Sequence, residues 1–370
     1  MIKNLKFISF NSKKKTNELI YVFSKRISST IGRTILSSLV VMLFFAVTPI
    51  LIKFVEEEIL ITEFENNSRK VMVYKLNGKT KPSTEKEEDF NKFNEKDLLS
   101  DILVLNELDN NSVRLNAPTI IQLFKDTKYN LEDVRTNKLV RPVALTWLPY
   151  EIKKIQNTKD RKDLFIQIIL PLILEENNNI KLDRIKLFSI INKNKNTELE
   201  RKWLNKKYKQ YGVVSKDLSV LKIRMDEIPT SLALAQAAKE TGWGTSRFAL
   251  EGNALFGQWT WSGVGLKPKD SEANEGHKVM KFNILQASVR AYQRNLNTHK
   301  SYREFREARA KLRDENRELD SLVLSKYLDK YAETGQKYVE IIQKIIKQNK
   351  LKDFDDAKLL PSNKKLESLI

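Results

Sequence analysis

The sequence predicts an α+β chain that is mostly α, with one short β-like lobe and a single apolar span ahead of it. Three observations predict this. From about Asp160 onward, apolar residues recur at three- and four-residue spacing, the period of one helix face. That pattern breaks between Trp259 and Phe282, where glycine, proline and charge crowd together. Far upstream, Thr34 to Ile52 carries no charge and is dominated by Leu, Val, Ile and Phe.

The apolar span comes first in the chain. Its 19 residues are long enough to cross a bilayer core as a helix. Lys3, Lys6, Lys13, Lys14, Lys15, Lys25, Arg26 and Arg33 precede it, opposed only by Glu18. Lys53 and then Glu56, Glu57 and Glu58 follow it. The positive-inside rule places the N-terminus in the cytoplasm and everything after the span outside. The span is long for the apolar part of a signal peptide, and no clear small-x-small cleavage site follows. A buried core helix would not explain the charge asymmetry. The expected layout is a basic cytoplasmic tail at 1–33, a transmembrane signal anchor at 34–54 and a flexible tether at 55–98. An accessory or spacer region at 99–140, the main domain at 141–352 and a C-terminal tail at 353–370 complete it.

Within the tether, Lys79 to Asp89 is polar and charged, and the short alternation Val71-Met72-Val73-Tyr74 reads as a strand. The spacer holds two apolar runs, Ile102 to Leu105 and Ile120 to Phe124, with no assigned function. In the main domain, Leu164, Phe165, Ile168, Ile169, Leu172 and Ile173 line one helix face, and Pro171 is expected to kink or restart that helix. Ile180, Leu182, Ile185, Leu187 and Phe188 suggest another helix. Glu304 to Leu312, Leu319 to Leu328 and Tyr338 to Gln348 read as further helices. Val279-Met280-Lys281-Phe282 has the look of the return strand of a hairpin.

Composition narrows the chemistry. The chain has no cysteine, which excludes disulfides and thiolate nucleophiles. Its two histidines, His277 and His299, give poor support to a His-based zinc site or a Ser-His triad, and each reads as a structural or surface residue. The formal net charge is +19. The lysines are spread along the chain and alternate with Asn, Glu and Asp, and no nucleic-acid-binding motif is visible. A basic exported protein is instead drawn to anionic wall or membrane surfaces.

The most informative segment is Ala237-Ala238-Lys239-Glu240-Thr241-Gly242-Trp243-Gly244, followed by Asn253-Ala254-Leu255-Phe256-Gly257. Thr230 is a plausible N-cap for an Ala- and Leu-rich helix, and Gly242 is a natural stop. Glu240 then falls in the last turn, near the negative end of the helix dipole. That field, together with burial beside Trp243 or Phe256, disfavours the ionised carboxylate and raises its pKa, as a general acid requires. From this segment alone, a surface glutamate at a helix end is an equally good reading.

The Glu-Thr-Gly-Trp-Gly turn and the Asn-Ala-Leu-Phe-Gly-Gln segment resemble the catalytic signature of the peptidoglycan glucosaminidases, glycoside hydrolase family 73. The resemblance runs from about Arg141 to about Leu351. It passes through Arg161 to Ile166, Leu170 to Leu174, Ser288 to Tyr292, Asn295 to His299, Tyr302 to Arg306 and Tyr331 to Tyr338. It implies a lysozyme-like fold, with a cleft between a helical lobe and a small hairpin lobe. It also implies Glu240 as general acid and a second acid in the hairpin lobe. Asp270, Glu272 and Glu275 lie there; Glu275 fits the family spacing best and Glu272 is close behind. The family has a tyrosine near the cleft at the position of Tyr331, although this chain reads Glu-Thr-Gly-Gln where many relatives read Thr-Asp-Pro.

Sugar rings stack on aromatic faces, and Trp243, Phe256, Trp259 and Trp261 form a dense aromatic set. Trp259 or Trp261 is the better sugar platform, whereas Trp243 reads as closing the turn. Asn253 and Gln258 are expected either to bond an N-acetyl group or to shape the turn. The leading expectation is a membrane-anchored β-N-acetylglucosaminidase acting on peptidoglycan glycan strands, with no metal or organic cofactor. A lytic transglycosylase or muramidase is the second reading, and a non-catalytic wall-binding protein the third. Nucleic acid is not expected as a partner.

Overall fold

Helices come first among the described residues. The computed structural model describes residues 95–107, 113–260, 265–266 and 278–361. The expected anchor at 34–54 and the strand at 71–74 lie outside the described residues. Among the described residues no helix is long and apolar enough to cross a membrane. Helices α1 (Glu95–Glu107), α2 (Ala117–Asp126) and α3 (Leu131–Asn137) lead into the short strand β1 (Leu139–Val140). The Asn116 side chain accepts from the Thr119 N–H at 2.9 Å and starts α2. Asn130 does the same for α3, accepting from Asp133 N–H at 2.8 Å.

Next comes α4 (Thr158–Ile191), begun by Asn157, whose side chain accepts from Lys159 N–H at 2.9 Å. Here the sequence expectation of two helices is corrected: α4 is a single helix of 34 residues running through Pro171. Proline cannot donate to the carbonyl four residues back, which is that of Gln167. The buried Tyr129 hydroxyl donates to that carbonyl instead, at 3.1 Å, and Gln167 Nε2 returns a bond to Tyr129 O at 2.8 Å. A side chain from the preceding region thus satisfies the group that would otherwise break the helix.

Helices α5 (Glu198–Gln210) and α6 (Leu218–Arg224) follow, the first opened by a capping box between Thr197 and Glu200. With the end of α4 they enclose a separate small core around Leu187, Leu204, Tyr211 and Leu221. Helix α7 (Thr230–Thr241) buries every residue except Lys239 and Glu240. Its alanines let α4 and a later helix, α12 (Gln336–Gln348), pack close to its backbone. Its first helical residue is Thr230, one position earlier than an N-cap there would give, with Pro229 in the cap position. No side chain of its own caps it; the Asp355 carboxylate accepts from Ser231 N–H at 2.7 Å and from its hydroxyl at 2.8 Å.

After α8 (Arg247–Gly252) comes a small antiparallel sheet of β2 (Trp259–Thr260), β3 (Gly265–Leu266) and β4 (Lys278–Met280), in the order β2-β4-β3. Trp259 pairs with Val279 on one side of β4, and Leu266 pairs with Val279 on the other. The expected return strand is therefore the central strand. A Cβ on Gly252 would lie 2.8 Å from Leu266 Cδ1, so glycine lets the sheet sit against the end of α8. Helices α9 (Leu285–Thr298), α10 (Arg303–Asp314), the one-turn α11 (Ser321–Leu324) and α12 complete the helical part. The expected helix at 319–328 is α11 followed by 3₁₀ turns.

The boundaries set from sequence also change. Ala117, Ile120, Phe124, Leu131, Val134 and Val140 belong to the main core, so the spacer is part of the domain. Residues 95–98, expected as tether, belong to α1, whose Ile102 packs with Phe282, Ala287 and Ala291. The first part of the tail also returns: Phe354 and Ala357 enter the core, and β5 (Lys358–Leu359) pairs in parallel with β1.

A buried ionic cluster fixes the entry to α7. Asp226 faces Arg184 of α4 at 3.3 Å, and Arg309 and Arg313 of α10 at 3.8 and 3.0 Å. Although burial opposes ionisation, the three guanidiniums hold the Asp226 carboxyl well below the usual carboxylate range.

Candidate active site

Glu240 takes its place from the end of α7. Gly242 adopts φ 57° and ψ 44°, a left-handed conformation that glycine accepts without penalty. Trp243 N–H then donates to Ala238 O at 2.9 Å, closing a Schellman turn. The Thr241 hydroxyl donates to Ala237 O at 2.7 Å and accepts from Gly244 N–H at 2.9 Å. Trp243 meets Phe165 edge to face at 5.9 Å, and Lys162 Nζ lies 4.8 Å from its ring centre. Its position is that of a turn-closing residue packed on the core.

The opposite wall is the segment after α8. Asn253 ends that helix at φ 49° and is fully buried; its Nδ2 donates to Thr146 O at 3.1 Å and to Phe282 O at 3.3 Å. Phe256 is also buried, stacked on Tyr292 with ring centres 3.8 Å apart and planes at 8°. Asn253 makes turn-shaping contacts, one of its two expected roles, and Phe256 packs into the core rather than lining an open face. Neither offers a surface to a sugar ring, and both hold the turn that brings Gly257 over Glu240. Gly257 has φ +61°, and a Cβ there would lie 3.2 Å from Glu240 Oε2. Gln258 is half-buried; its backbone carbonyl accepts from Met280 N–H at 2.8 Å, and its Oε1 is buried with no hydrogen-bond partner among the described residues.

Tyrosines close the pocket. The Tyr338 hydroxyl of α12 is close enough to the Glu240 carboxyl to act on its ionisation. Tyr331 stacks on Tyr338, centres 5.3 Å apart and planes at 13°, and its hydroxyl donates to Phe256 O at 2.9 Å. Tyr302 lies 5.9 Å from Tyr331, and burial pushes its hydroxyl up to about 12. Gln236 sits one turn before Glu240 on the same face of α7. Its Nε2 donates to the Tyr338 hydroxyl oxygen at 3.1 Å, and its Oε1 accepts from the Tyr292 hydroxyl at 2.7 Å.

Burial raises the Glu240 carboxyl above its ordinary range, against smaller opposing pulls from the Tyr338 hydroxyl and Lys239. The position at the C-terminal end of a helix acts in the same direction as burial. The result is a half-buried carboxyl group biased toward its protonated form and bordered by a backbone turn and phenolic rings. Such a group can deliver a proton to an oxygen placed beside it.

Of the residues singled out from sequence, the structure brings together Glu240, Tyr331, Phe256 and the Gly257 turn. Trp259 is described through its backbone in β2. Glu272, Glu275 and Trp261 lie outside the described residues. Sequence reading missed Tyr338 as a neighbour of Glu240, along with Gln236, Tyr292 and Tyr302. One signal was present: Gln236 is a polar residue on an otherwise apolar stretch, four positions before the acid.

A mostly helical domain with a small antiparallel sheet, and an acid at a helix end beside that sheet, fits the lysozyme-like glycosidases. The family model described as mannosyl-glycoprotein endo-beta-N-acetylglucosaminidase matches residues 221–351. The chain is 32% identical over 197 residues to Protein bax of Escherichia coli (strain K12), a match covering 51% of this chain and 69% of that protein. No solved structure matches the chain. The chain belongs to the bacterial Bax-like glucosaminidase family. Membership makes it a glycosidase-class protein with a glycan as its substrate class.

Proposed function

We propose that the chain is an endo-β-N-acetylglucosaminidase that hydrolyses the β-1,4 bond between N-acetylglucosamine and N-acetylmuramic acid in peptidoglycan. The observation that supports this reading is the half-buried carboxyl of Glu240 at the end of α7, raised above its ordinary range by burial and faced by Gly257. Glu240 is the general acid: its proton passes to the glycosidic oxygen as the bond to the anomeric carbon breaks. Glu275 or Glu272 is the second acid, activating water or stabilising the cationic sugar. Trp259 or Trp261 supplies the sugar platform, with Gln258 as a polar contact. Tyr331, held to the Phe256 carbonyl, borders the reacting site.

The protein is anchored by residues 34–54 with its N-terminus in the cytoplasm and this domain on the outer side, a reading supported by the uncharged span and its flanking charges. The test is digestion of purified peptidoglycan by residues 55–370, with Glu240→Gln alongside. After borohydride reduction, mass spectrometry identifies the new ends. Reduced N-acetylglucosamine ends, absent with the variant, are the expected result. Reduced or anhydro muramic acid ends would move the assignment to a muramidase or transglycosylase. Wall binding without products would make the chain a scaffold.

A further inference from the structure

The end of α4 and the whole of α5 form a helical hairpin held by its own small core. The two helices run antiparallel. Lys193 meets Glu200 at 2.5 Å near the turn, Lys186 Nζ lies 5.0 Å from the Trp203 ring centre, and Lys207 pairs with Asp183 further down. Residues 192–197 are therefore the tip. The hairpin precedes residues 221–351, the part that the family model matches, and the proposed reaction uses none of it. It also lies far from Glu240. Phe165 meets Trp243 at one end of α4, and the stretch from there to Ile191 is about 40 Å long at about 1.5 Å per residue. Charge is concentrated here. Residues 181–217 hold eleven Lys and Arg against four Asp and Glu, so a tenth of the chain supplies over a third of its formal net charge of +19. Lys195, Arg201 and Lys206 are exposed and make no ion pair among the described residues. Lys202 pairs with Glu198 at 2.7 Å, but both are so open to water that the pair is weak and readily exchanged. Exposed apolar side chains share the tip. Leu199, in the first turn of α5, is 77% exposed, and Ile191, the last residue of α4, is 38% exposed.

We infer that the tip of this hairpin is a membrane-surface site. Lys195, Arg201, Lys202 and Lys206 sit among anionic lipid headgroups, and Leu199 and Ile191 enter the boundary between headgroups and acyl chains. A single exposed leucine needs no explanation. Two apolar side chains set among cations on a turn between helices are the composition that binds a bilayer interface. The lysines fit the same place, since their alkyl stems lie along apolar surface while the ammonium groups stay with phosphate and water. Each cation adds to the attraction, which fades within a Debye length of the surface. An anionic polysaccharide would answer the charges but gain nothing from Leu199 and Ile191, whereas a lipid surface uses both. The inference does not depend on the hydrolase reading, nor on an anchor at 34–54, which would only raise the local concentration of lipid. Its consequence is orientation. With the tip on the bilayer, α4 acts as a strut that holds the Glu240 end of the domain away from the lipid.

The experiment uses the full-length chain reconstituted with vesicles of phosphatidylcholine alone or mixed with phosphatidylglycerol. The chain has no cysteine, so Leu199→Cys carries a single environment-sensitive fluorophore at the tip. Lys159→Cys, exposed in the first turn of α4, carries it at the other end of the helix. On mixed vesicles the Leu199 probe should shift its emission to the blue and be quenched by a nitroxide-labelled lipid. On phosphatidylcholine alone it should do neither. The shift should be lost at high salt, and lost in a chain that also carries Lys195→Glu, Arg201→Glu and Lys206→Glu. The Lys159 probe should stay in water throughout. All these positions are exposed, so the substitutions leave both cores intact. A Leu199 probe that stays in water on mixed vesicles overturns the inference. So does an equal shift on the two kinds of vesicle, which would remove the role of charge, or an equal shift of both probes, which would lay the whole domain on the lipid. A shift driven by soluble poly(glycerol phosphate) and not by mixed vesicles would assign the tip to an anionic polymer and overturn the lipid reading. No substrate enters these readouts, so a failure of Glu240 as the general acid leaves them unchanged.

Discussion

Replacing Gly257 by alanine tests the geometry of the pocket with a single methyl group. Two costs follow from the structure. The backbone sits at φ +61°, where a residue with a Cβ is strained by about 1–2 kcal/mol. A smaller unfolded-state entropy offsets about 0.4–1 kcal/mol of that. The net loss of stability is roughly 1 kcal/mol, which lowers Tm by roughly 2–4 °C for a domain of this size. The second cost falls on the chemistry. The new Cβ would lie 3.2 Å from Glu240 Oε2, so the carboxyl must give by a few tenths of an ångström. Since a misplacement of about 1 Å costs on the order of a hundredfold, a shift of this size should cost roughly three- to tenfold in kcat. The assay is thermal unfolding by circular dichroism beside peptidoglycan digestion. Gly335→Ala is the comparison: Gly335 also has positive φ, +54°, but a Cβ there meets nothing within 4 Å. It should lose stability and keep its specific activity. Full activity in Gly257→Ala at an unchanged Tm would refute both the strain and the contact with Glu240.

Further expectations concern the frame around the pocket. Asp226→Ala should cost about 3–5 kcal/mol in urea unfolding, because it leaves Arg184, Arg309 and Arg313 facing an uncompensated buried site; a loss under about 1 kcal/mol would remove the cluster from the stability of the fold. Tyr129→Phe strips the donor from the Gln167 carbonyl beneath Pro171 and should cost about 1–3 kcal/mol, with helicity by circular dichroism falling if α4 breaks there. Asp355 is pushed up to about 6, mainly by burial, above its ordinary value near about 3.9. The folded state therefore takes up this proton first, so the Asp355 contribution to stability grows as pH falls through about 6 toward about 4 and is lost as pH rises. Asp355→Asn should flatten that part of the pH–stability curve, and an identical slope in the variant would contradict the assignment.

Local features were legible because they depend on neighbours in the chain. Gly242 was readable as a helix stop because its left-handed conformation is a property of one residue, and Glu240, two residues before it, was thereby placed in the last turn. The 3.6-residue period located α4, and the crowding of Gly and Pro marked the sheet. Pro171 misled, since the bond that keeps the helix intact comes from Tyr129, outside the helix. The spacer read as separate because its apolar runs are short; what makes them core is packing against residues far along the chain.

The pocket divides the same way. By itself the sequence determined that an acid ends a buried, alanine-rich helix before a glycine-aromatic turn. Only the tertiary structure decided which tyrosine meets that acid. Tyr331 carries the family position, yet its hydroxyl goes to the Phe256 carbonyl while Tyr338 reaches Glu240. Gln236 and Tyr338 are 102 positions apart, and their contact is set by how α12 packs along α7. A hydrogen bond has a tolerance of a few tenths of an ångström. The apolar pattern fixes which helix face is buried, and packing across the whole core fixes which hydroxyl arrives at the carboxyl.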